Sequence, residues 1–208
     1  MSETTLKLYT FPLSGNAHRV ELALSLLGLP YEAEEVNLGG GEQRADWFKK
    51  LNPVGKVPVL VDGETVLTES TAILTYLATK FDDGTWMPED AALEAEVHKW
   101  FARAATVLAA GPAAARLITL FGAGFNPEET IQKGHDFLAL LEADLEGLDF
   151  LVANRPTFAD VAVYTYVAHA PEGHVSLEAY TNVRRWLAAI EALPGFVGMK
   201  KTVVDAAA

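Results

Sequence analysis

Residues 57–70, VPVLVDGETVLTES, carry the clearest structural signal in this chain. Two apolar runs, 57–61 and 65–67, flank the dipeptide Asp62-Gly63, and this arrangement predicts two antiparallel strands joined by a tight turn. Apolar residues then recur at helical spacing over residues 70–78, so a helix is expected directly after the hairpin. A hairpin followed by a helix indicates a sheet with helices packed on it.

The residues that precede this hairpin alternate between strand and helix patterns. Short strands are predicted at 6–9 and 31–36, and an amphipathic helix at 17–27 ends at Gly28-Leu29-Pro30. Residues 37–52 are Gly-rich and irregular, with one helical turn expected among them. The predicted order β-α-β-(α)-β-β-α describes a mixed α/β domain that spans residues 1–80.

Strand patterns stop after this domain. Residues 81–88, FDDGTWMP, have the Asp, Gly and Pro content of a linker, and residues 89–208 are predicted to form an all-helical domain. Helical spacing of apolar residues marks the stretches 93–108, 113–121, 128–148, 158–169 and 182–193. The fold class expected from the sequence is therefore α/β followed by all-α.

Composition excludes several classes of function. The 208 residues are 50% hydrophobic with a net charge of −12, and both halves are acidic, which argues against nucleic acid or an anionic membrane as partner. The absence of cysteine excludes disulfides, a catalytic thiol and zinc thiolate sites. The five histidines show no metal-ligand spacing. No apolar run approaches the ~20 residues of a membrane span, and the first residues lack a signal-peptide core, so a soluble cytoplasmic protein is expected.

Four stretches in order give the sequence a family resemblance: PLSGNAHRV (12–20), NPVGKVPVLVDG (52–63), LTESTAIL (67–74) and RRWLAAIEALPGF (184–196). Together they resemble the glutathione transferases, in particular the serine-type, phi- and theta-like bacterial members. The resemblance covers essentially the whole chain. It implies a thioredoxin-like N-terminal domain, a C-terminal helical bundle and a homodimer. It also implies that glutathione is the co-substrate, without a metal, and that its thiolate is transferred to small hydrophobic electrophiles.

Ser14 is the candidate catalytic residue. A serine before a helix is commonly only a cap, but in the resembled family this hydroxyl donates a hydrogen bond to the glutathione sulfur. A hydroxyl donor at the positive end of a helix would favour the thiolate over the thiol. Asn16 is a second candidate donor. Tyr9 lies within the first strand and is interpreted as a sheet residue.

The resemblance also implies contacts for the rest of glutathione. Val57 would pair its backbone with the cysteinyl unit, held by a cis Pro58, although a proline opening a strand is also common in trans. Glu69 would face the γ-glutamyl ammonium, and Ser70 with the helix N-terminus its carboxylate, although an ordinary cap would show the same pattern.

The glycine carboxylate and the second substrate have weaker candidates. Gln43, Arg44 and Lys56 are expected near the carboxylate, but Gln43 replaces a histidine that phi-like relatives often carry, and both cations are equally well explained as solvated surface charges. The second substrate is expected in an apolar cleft between the domains, lined by Phe11, Leu13, Leu108 and Phe121. Asp160, three residues after Thr157, is interpreted as part of a helix capping box and not as a catalyst.

Two alternatives to glutathione transfer stay open. One is a related glutathione-dependent peroxidase, dehalogenase or isomerase on the same scaffold. The other is a non-catalytic interaction protein that keeps the fold and has lost the site. The joint presence of Ser14, Val57-Pro58 and Glu69-Ser70 argues against the second, because the fold alone does not require this set.

Overall fold

The computed structural model describes residues 6–204, which form two compact units. One unit comprises residues 6–83 together with 194–200, and the other comprises 84–193 together with 201–204. The first carries a four-stranded sheet and the second is helical. The expected fold class, α/β followed by all-α, is confirmed.

The first unit has the predicted order of elements. They are β1 (Leu6–Thr10), α1 (Gly15–Leu26), β2 (Tyr31–Glu35), a 3₁₀ turn (Glu42–Arg44), α2 (Asp46–Leu51), β3 (Val59–Asp62), β4 (Thr65–Thr68) and α3 (Ser70–Phe81). The strands are arranged β2-β1-β3-β4, with β2 parallel to β1 and the other two pairings antiparallel. The β3–β4 hairpin pairs Asp62 with Thr65 next to its turn.

Strand β1 buries alternate residues, and the sheet is covered by the apolar stripes of its helices. In β1, Leu6 and Leu8 are buried, as expected when every second side chain points to one face. In α1, Val20 and Leu24 are four residues apart and fully buried, which places them on one face of the helix. This packing fixes the N-terminus of α1 at the end of β1, where the candidate catalytic serine lies.

The helical unit begins with α4 (Ala91–Ala105) and continues through a π-helical segment (Ala109–Ala113). It then contains α5 (Ala114–Phe121), α6 (Pro127–Asp144), α7 (Phe158–Ala168), a 3₁₀ turn (Ala170–Gly173) and α8 (Thr181–Glu191). The π-helical segment lies against α6, since a Cβ added to Gly111 would lie 2.7 Å from the Lys133 carbonyl oxygen.

The stretch Ala91–Phe121 is long and apolar enough to cross a membrane by length and composition alone. Its most apolar 18-residue window has a mean hydropathy of 1.5, and 44% of that window is buried inside the protein. Core helices of soluble proteins meet the same criterion, so this stretch is weak evidence for a membrane span.

Candidate active site

Ser14 caps the N-terminus of α1. Its backbone is extended (φ −90°, ψ 109°), and its Oγ accepts a hydrogen bond from the Ala17 N–H at 3.2 Å. A hydroxyl that accepts through its oxygen keeps its own proton to donate elsewhere. Ser14 is half-buried, so that proton lies within reach of a ligand at the positive end of α1. Capping and ligand binding are therefore compatible roles for the same side chain.

A small recess of about 80 Å³ lies in the first unit next to the N-termini of α1 and α3. We call it the α1 recess. It brings together three stretches that are distant in sequence, and most of its lining consists of residues that the sequence singles out for glutathione binding. Its lining residues are Asn16, Asn52, Lys56, Val57, Pro58, Glu69 and Ser70.

The side of the α1 recess that precedes β3 is a loop held by a buried side chain. The Val57–Pro58 peptide bond is cis, as the resemblance implies. Asn52 is 3% exposed; its Nδ2 donates to the Lys56 carbonyl at 2.8 Å, and its Oδ1 accepts from the Val54 N–H at 3.1 Å. Sequence reasoning missed Asn52, although an Asn-Pro dipeptide is a recognised turn signal.

Another part of the lining is formed by Glu69 and Ser70 at the start of α3. Glu69 is exposed and has a positive φ (φ 65°, ψ 115°), a conformation that costs a non-glycine residue about 1–3 kcal/mol and is concentrated at ligand sites. Its side chain makes no capping hydrogen bond to α3, so its carboxylate is not used as an ordinary helix cap. Ser70 is the first residue of α3 and is 7% exposed.

Arg19 lies beneath this site and was not singled out from the sequence. It is 3% exposed, and its Nη1 donates to Asn16 Oδ1 at 2.6 Å and to Ser70 Oγ at 3.3 Å. The sequence signal that could have identified it is a charged residue on the buried face of α1, one turn after Asn16.

The candidates for the glycine carboxylate lie at the edge of this region. Gln43 sits in the 3₁₀ turn and donates from Nε2 to the Leu38 carbonyl at 3.3 Å. That turn packs against the loop before Lys56, since a Cβ on Gly55, which has a φ of +68°, would lie 3.0 Å from the Gln43 carbonyl oxygen. Lys56 lines the α1 recess, whereas Gln43 and Arg44 do not. Arg44 and Lys56 are exposed.

The candidates for the second substrate occupy different environments. Phe11 and Leu13 are half-buried in the turn that leads to Ser14, which places them next to the catalytic candidate along the chain. In the helical unit, Phe121 is 49% exposed at the end of α5. Leu108 has no accessible surface, so it offers a ligand nothing to contact in this conformation.

The capping box predicted at Thr157 and Asp160 is present at the start of α7. Asp160 is 1% exposed and accepts hydrogen bonds from the Thr157 N–H at 2.9 Å and from Trp186 Nε1 at 2.8 Å. Its role is therefore structural. Within residues 6–204, no group of three or more His, Asp or Glu side chains is placed to hold a metal ion.

Comparison with known proteins identifies two family models along the chain. The model for "Glutathione S-transferase, N-terminal domain" matches residues 4–79, and the model for "Glutathione S-transferase, C-terminal domain" matches residues 126–194.

The chain is similar to curated proteins over part or all of its length. It is 49% identical to glutathione S-transferase Z1 of Arabidopsis thaliana over 88 residues, and this match covers only 42% of this chain and 40% of that protein. It is 34% identical to maleylpyruvate isomerase of a Ralstonia species, over 92% of this chain and 94% of that protein. Among solved structures, it is similar to a glutathione S-transferase from Pseudomonas fluorescens, with a TM-score of 0.88, 32% identity and coverage of 94% of this chain and 99% of the other.

Proposed function

The chain belongs to the glutathione S-transferase family. From this premise we propose that it conjugates glutathione, through its sulfur, to small hydrophobic electrophiles. The observation that carries the proposal is the α1 recess, in which Asn16, the Val57–Pro58 segment and the Glu69–Ser70 pair converge from separate elements next to the helix that Ser14 caps. The fold alone would not require that convergence.

Each part of glutathione has a chemically matched partner in this proposal. Ser70 and the free N–H groups at the start of α3 bind the γ-glutamyl carboxylate, because a helix N-terminus favours anions. Glu69 faces the neighbouring ammonium, and the Val57 backbone pairs with the cysteinyl unit in the manner of an added strand. Lys56 is the cation offered to the glycine carboxylate, with Arg44 and Gln43 as further candidates.

Ser14 then acts on the sulfur. A free thiol has a pKa of about 8.5, and lowering it by about two units stabilises the thiolate by ~2.7 kcal/mol. The Ser14 hydroxyl donates to the sulfur while its oxygen remains bound to the Ala17 N–H. The thiolate attacks an electrophilic carbon and forms a carbon–sulfur bond, and the leaving group departs with the bonding pair. Phe11 and Leu13 provide apolar surface for that substrate.

The proposed state of the protein is a cytoplasmic homodimer that uses no metal. Its net charge of −12 disfavours polyanionic partners, so nucleic acid and anionic membranes are not proposed. The proposed ligands are glutathione and a small apolar molecule.

A second candidate function is a glutathione-dependent isomerisation, because one relative similar over 92% of this chain is named maleylpyruvate isomerase. In such a reaction the thiolate would add to a carbon–carbon double bond and leave again after rotation, so glutathione would be regenerated. Glutathione consumption separates the two functions: conjugation consumes one glutathione per product, whereas isomerisation consumes none. Peroxidase and dehalogenase activities are tested with the corresponding substrates in the same assay.

The proposed function is tested with the substitution Ser14→Ala. Loss of a hydrogen bond to a charged sulfur is expected to lower turnover about 10- to 100-fold, with glutathione affinity from calorimetry changed only a few-fold. Ser176→Ala is the matched control, since Ser176 is exposed and also accepts from a backbone N–H, that of Glu178. Equal turnover of Ser14→Ala and the unmodified protein at pH 6.5 would remove Ser14 from the mechanism. Absence of glutathione binding by the unmodified protein would indicate a non-catalytic protein.

A further inference from the structure

Arg19 connects two residues that line the α1 recess. A single nitrogen, Nη1, donates to Asn16 on α1 at 2.6 Å and to Ser70 on α3 at 3.3 Å. The guanidinium is buried, with the residue 3% exposed, so these contacts form away from competing water. Arg19 thereby fixes the relative positions of the two helix N-termini that border the α1 recess.

The contacts also determine which atoms of Asn16 and Ser70 are left for a ligand. A guanidinium donates hydrogen bonds and cannot accept them, so Asn16 must turn its amide oxygen toward Arg19 and its NH₂ group elsewhere. Ser70 accepts from Arg19 through Oγ, so its hydroxyl proton is directed away from the guanidinium. Two side chains that could each donate or accept are therefore both presented to a ligand as donors.

Asn52 provides a contrast within the α1 recess. Its Nδ2 donates one hydrogen to the Lys56 carbonyl and its Oδ1 accepts from the Val54 N–H, so the loop, and not Arg19, sets the orientation of its amide. Asn16 and Ser70 are therefore the lining side chains whose donors Arg19 sets, and the buried positive charge of Arg19 beside them also favours an anion.

We propose that Arg19 is a positioning residue that makes the α1 recess select a carboxylate, by setting Asn16 and Ser70 as hydrogen-bond donors. The inference rests on the proposed function, because the carboxylate in question is that of the γ-glutamyl unit of glutathione. Arg19 acts through the two side chains and is not assigned a contact with the reacting sulfur. Its removal therefore affects affinity for the carboxylate more than the chemical step.

The test compares two ligands on the variant R19M. The first is glutathione, and the second is γ-aminobutyryl-cysteinyl-glycine, which is glutathione without the γ-glutamyl carboxylate. R19M is expected to bind glutathione about 10- to 100-fold more weakly by calorimetry, because hydrogen bonds to a charged group are lost. Binding of the second ligand is expected to change less than about two-fold, since the carboxylate that the donors serve is missing. With saturating glutathione, turnover of R19M is expected to stay close to that of the unmodified protein.

The matched control is R184M, which removes an exposed arginine of the helical unit and is expected to change neither affinity. If R19M does not fold, R19K decides, since lysine keeps the charge but lacks the planar guanidinium that holds Nη1 between Asn16 and Ser70; a loss of about 3- to 10-fold for glutathione alone is expected. Equal losses of affinity for both ligands, or no loss of affinity, would overturn the role of Arg19. The proposed function would still stand in that case, provided that the unmodified protein binds glutathione. Absence of that binding would overturn both.

Discussion

At the scale of single residues, Glu69 combines a strained backbone with a side chain that does not serve its helix. Its φ of 65° is unfavourable for a residue with a Cβ, and its carboxylate makes no capping bond to α3. Strain of this kind persists where the surrounding structure holds it and where a ligand uses it. The ammonium of the γ-glutamyl unit is the ligand group that this acidic side chain fits.

Two substitutions of Glu69 separate charge from strain. Glu69→Gln keeps the side-chain shape and should weaken glutathione binding about ten-fold by loss of the charged contact, with little change in the free energy of unfolding. Glu69→Gly should lose the same affinity but raise the free energy of unfolding by about 1 kcal/mol, because glycine adopts a positive φ without penalty. Calorimetry and urea unfolding measure the two quantities. Wild-type affinity in Glu69→Gln would contradict the ammonium contact.

The residues of the α1 recess that the sequence predicted share one property. Asn16, Val57-Pro58 and Glu69-Ser70 lie in local motifs, a helix start or a strand start, which a single sequence displays. Arg19 and Asn52 could not be predicted in the same way, because their roles depend on partners in other elements or on a loop conformation. The charge of Arg19 on the buried face of α1 marks it as unusual, but nothing near it in the sequence shows that it joins residues 16 and 70.

At the scale of elements, α7 depends on Asp160. This carboxylate accepts hydrogen bonds from Trp186, from the Leu151 N–H and from the N–H and hydroxyl of Thr157. Burial raises the pKa of Asp160 to about 6, although these hydrogen bonds act in the opposite direction. The residue thus ties α7 to α8 and to the segment before it at a cost in desolvation.

This raised pKa predicts an unusual pH dependence of stability. An acid whose folded pKa lies above its unfolded value of about 3.8 stabilises the folded state most below that value and loses this contribution as the pH rises through about 6. The free energy of unfolding of the wild type, measured relative to Asp160→Asn, should therefore increase between pH 7 and pH 4, by about 2 kcal/mol.

The matched control for this prediction is Asp90→Asn. Asp90 caps α4 through the Ala92 and Leu93 N–H groups and is exposed. Asparagine caps helices about as well as aspartate, so this variant should unfold close to the wild type at pH 7. Asp160→Asn should be clearly less stable there, because its amide NH₂ would face buried donors. A difference in the free energy of unfolding between wild type and Asp160→Asn that does not change with pH would contradict the prediction.

Element boundaries follow the sequence except where backbone chemistry intervenes. β3 begins at Val59 and not at residue 57, and a proline at position 58 cannot donate to the strand ladder. The helix predicted over 113–121 is preceded by a π-helical segment that contains Pro112, whose missing N–H disturbs regular α-helical bonding. The spacing of apolar residues along the sequence indicates which face of an element is buried, but it does not show these local changes in backbone hydrogen bonding.

At the scale of the whole molecule, the two-part organisation was predictable from the change in hydrophobic period, but the course of the C-terminal segment was not. Residues 194–200 belong to the first unit, where the Gly195 carbonyl accepts from Ser25 Oγ at 2.6 Å and the Val197 carbonyl lies 2.9 Å from His18 Nε2. These partners are 170 or more residues apart in sequence. Pattern reasoning over short windows has no access to such contacts.

The helical unit also buries a charged cluster that links its C-terminal residues to its core. Glu172 pairs with Arg116 and lies 2.8 Å from His169 Nδ1, and its Oε1 accepts from the Thr202 N–H at 2.8 Å. Burial alone would raise the pKa of Glu172, but hydrogen bonds from Thr202, His169 and Arg116 lower it below its usual value of 4.5. This shift is opposite in sign to that of Asp160.

The substitution Glu172→Gln tests this cluster. It removes the carboxylate that pairs with the buried Arg116, so the free energy of unfolding at pH 7 should fall by about 3 kcal/mol. The pKa of Glu172 is lower in the folded than in the unfolded state, so its charge stabilises the folded protein above about pH 4.5 and this contribution is lost in acid. The difference in the free energy of unfolding between the wild type and Glu172→Gln should therefore shrink as the pH falls below about 4.5. Glu129→Gln, which removes a carboxylate from an exposed pair with Lys133 in the same unit, is the control and should change stability little. Urea unfolding followed by tryptophan fluorescence at pH 7 and pH 4 measures both variants, and a pH-independent deficit in Glu172→Gln would show that lost packing, not lost charge, is responsible.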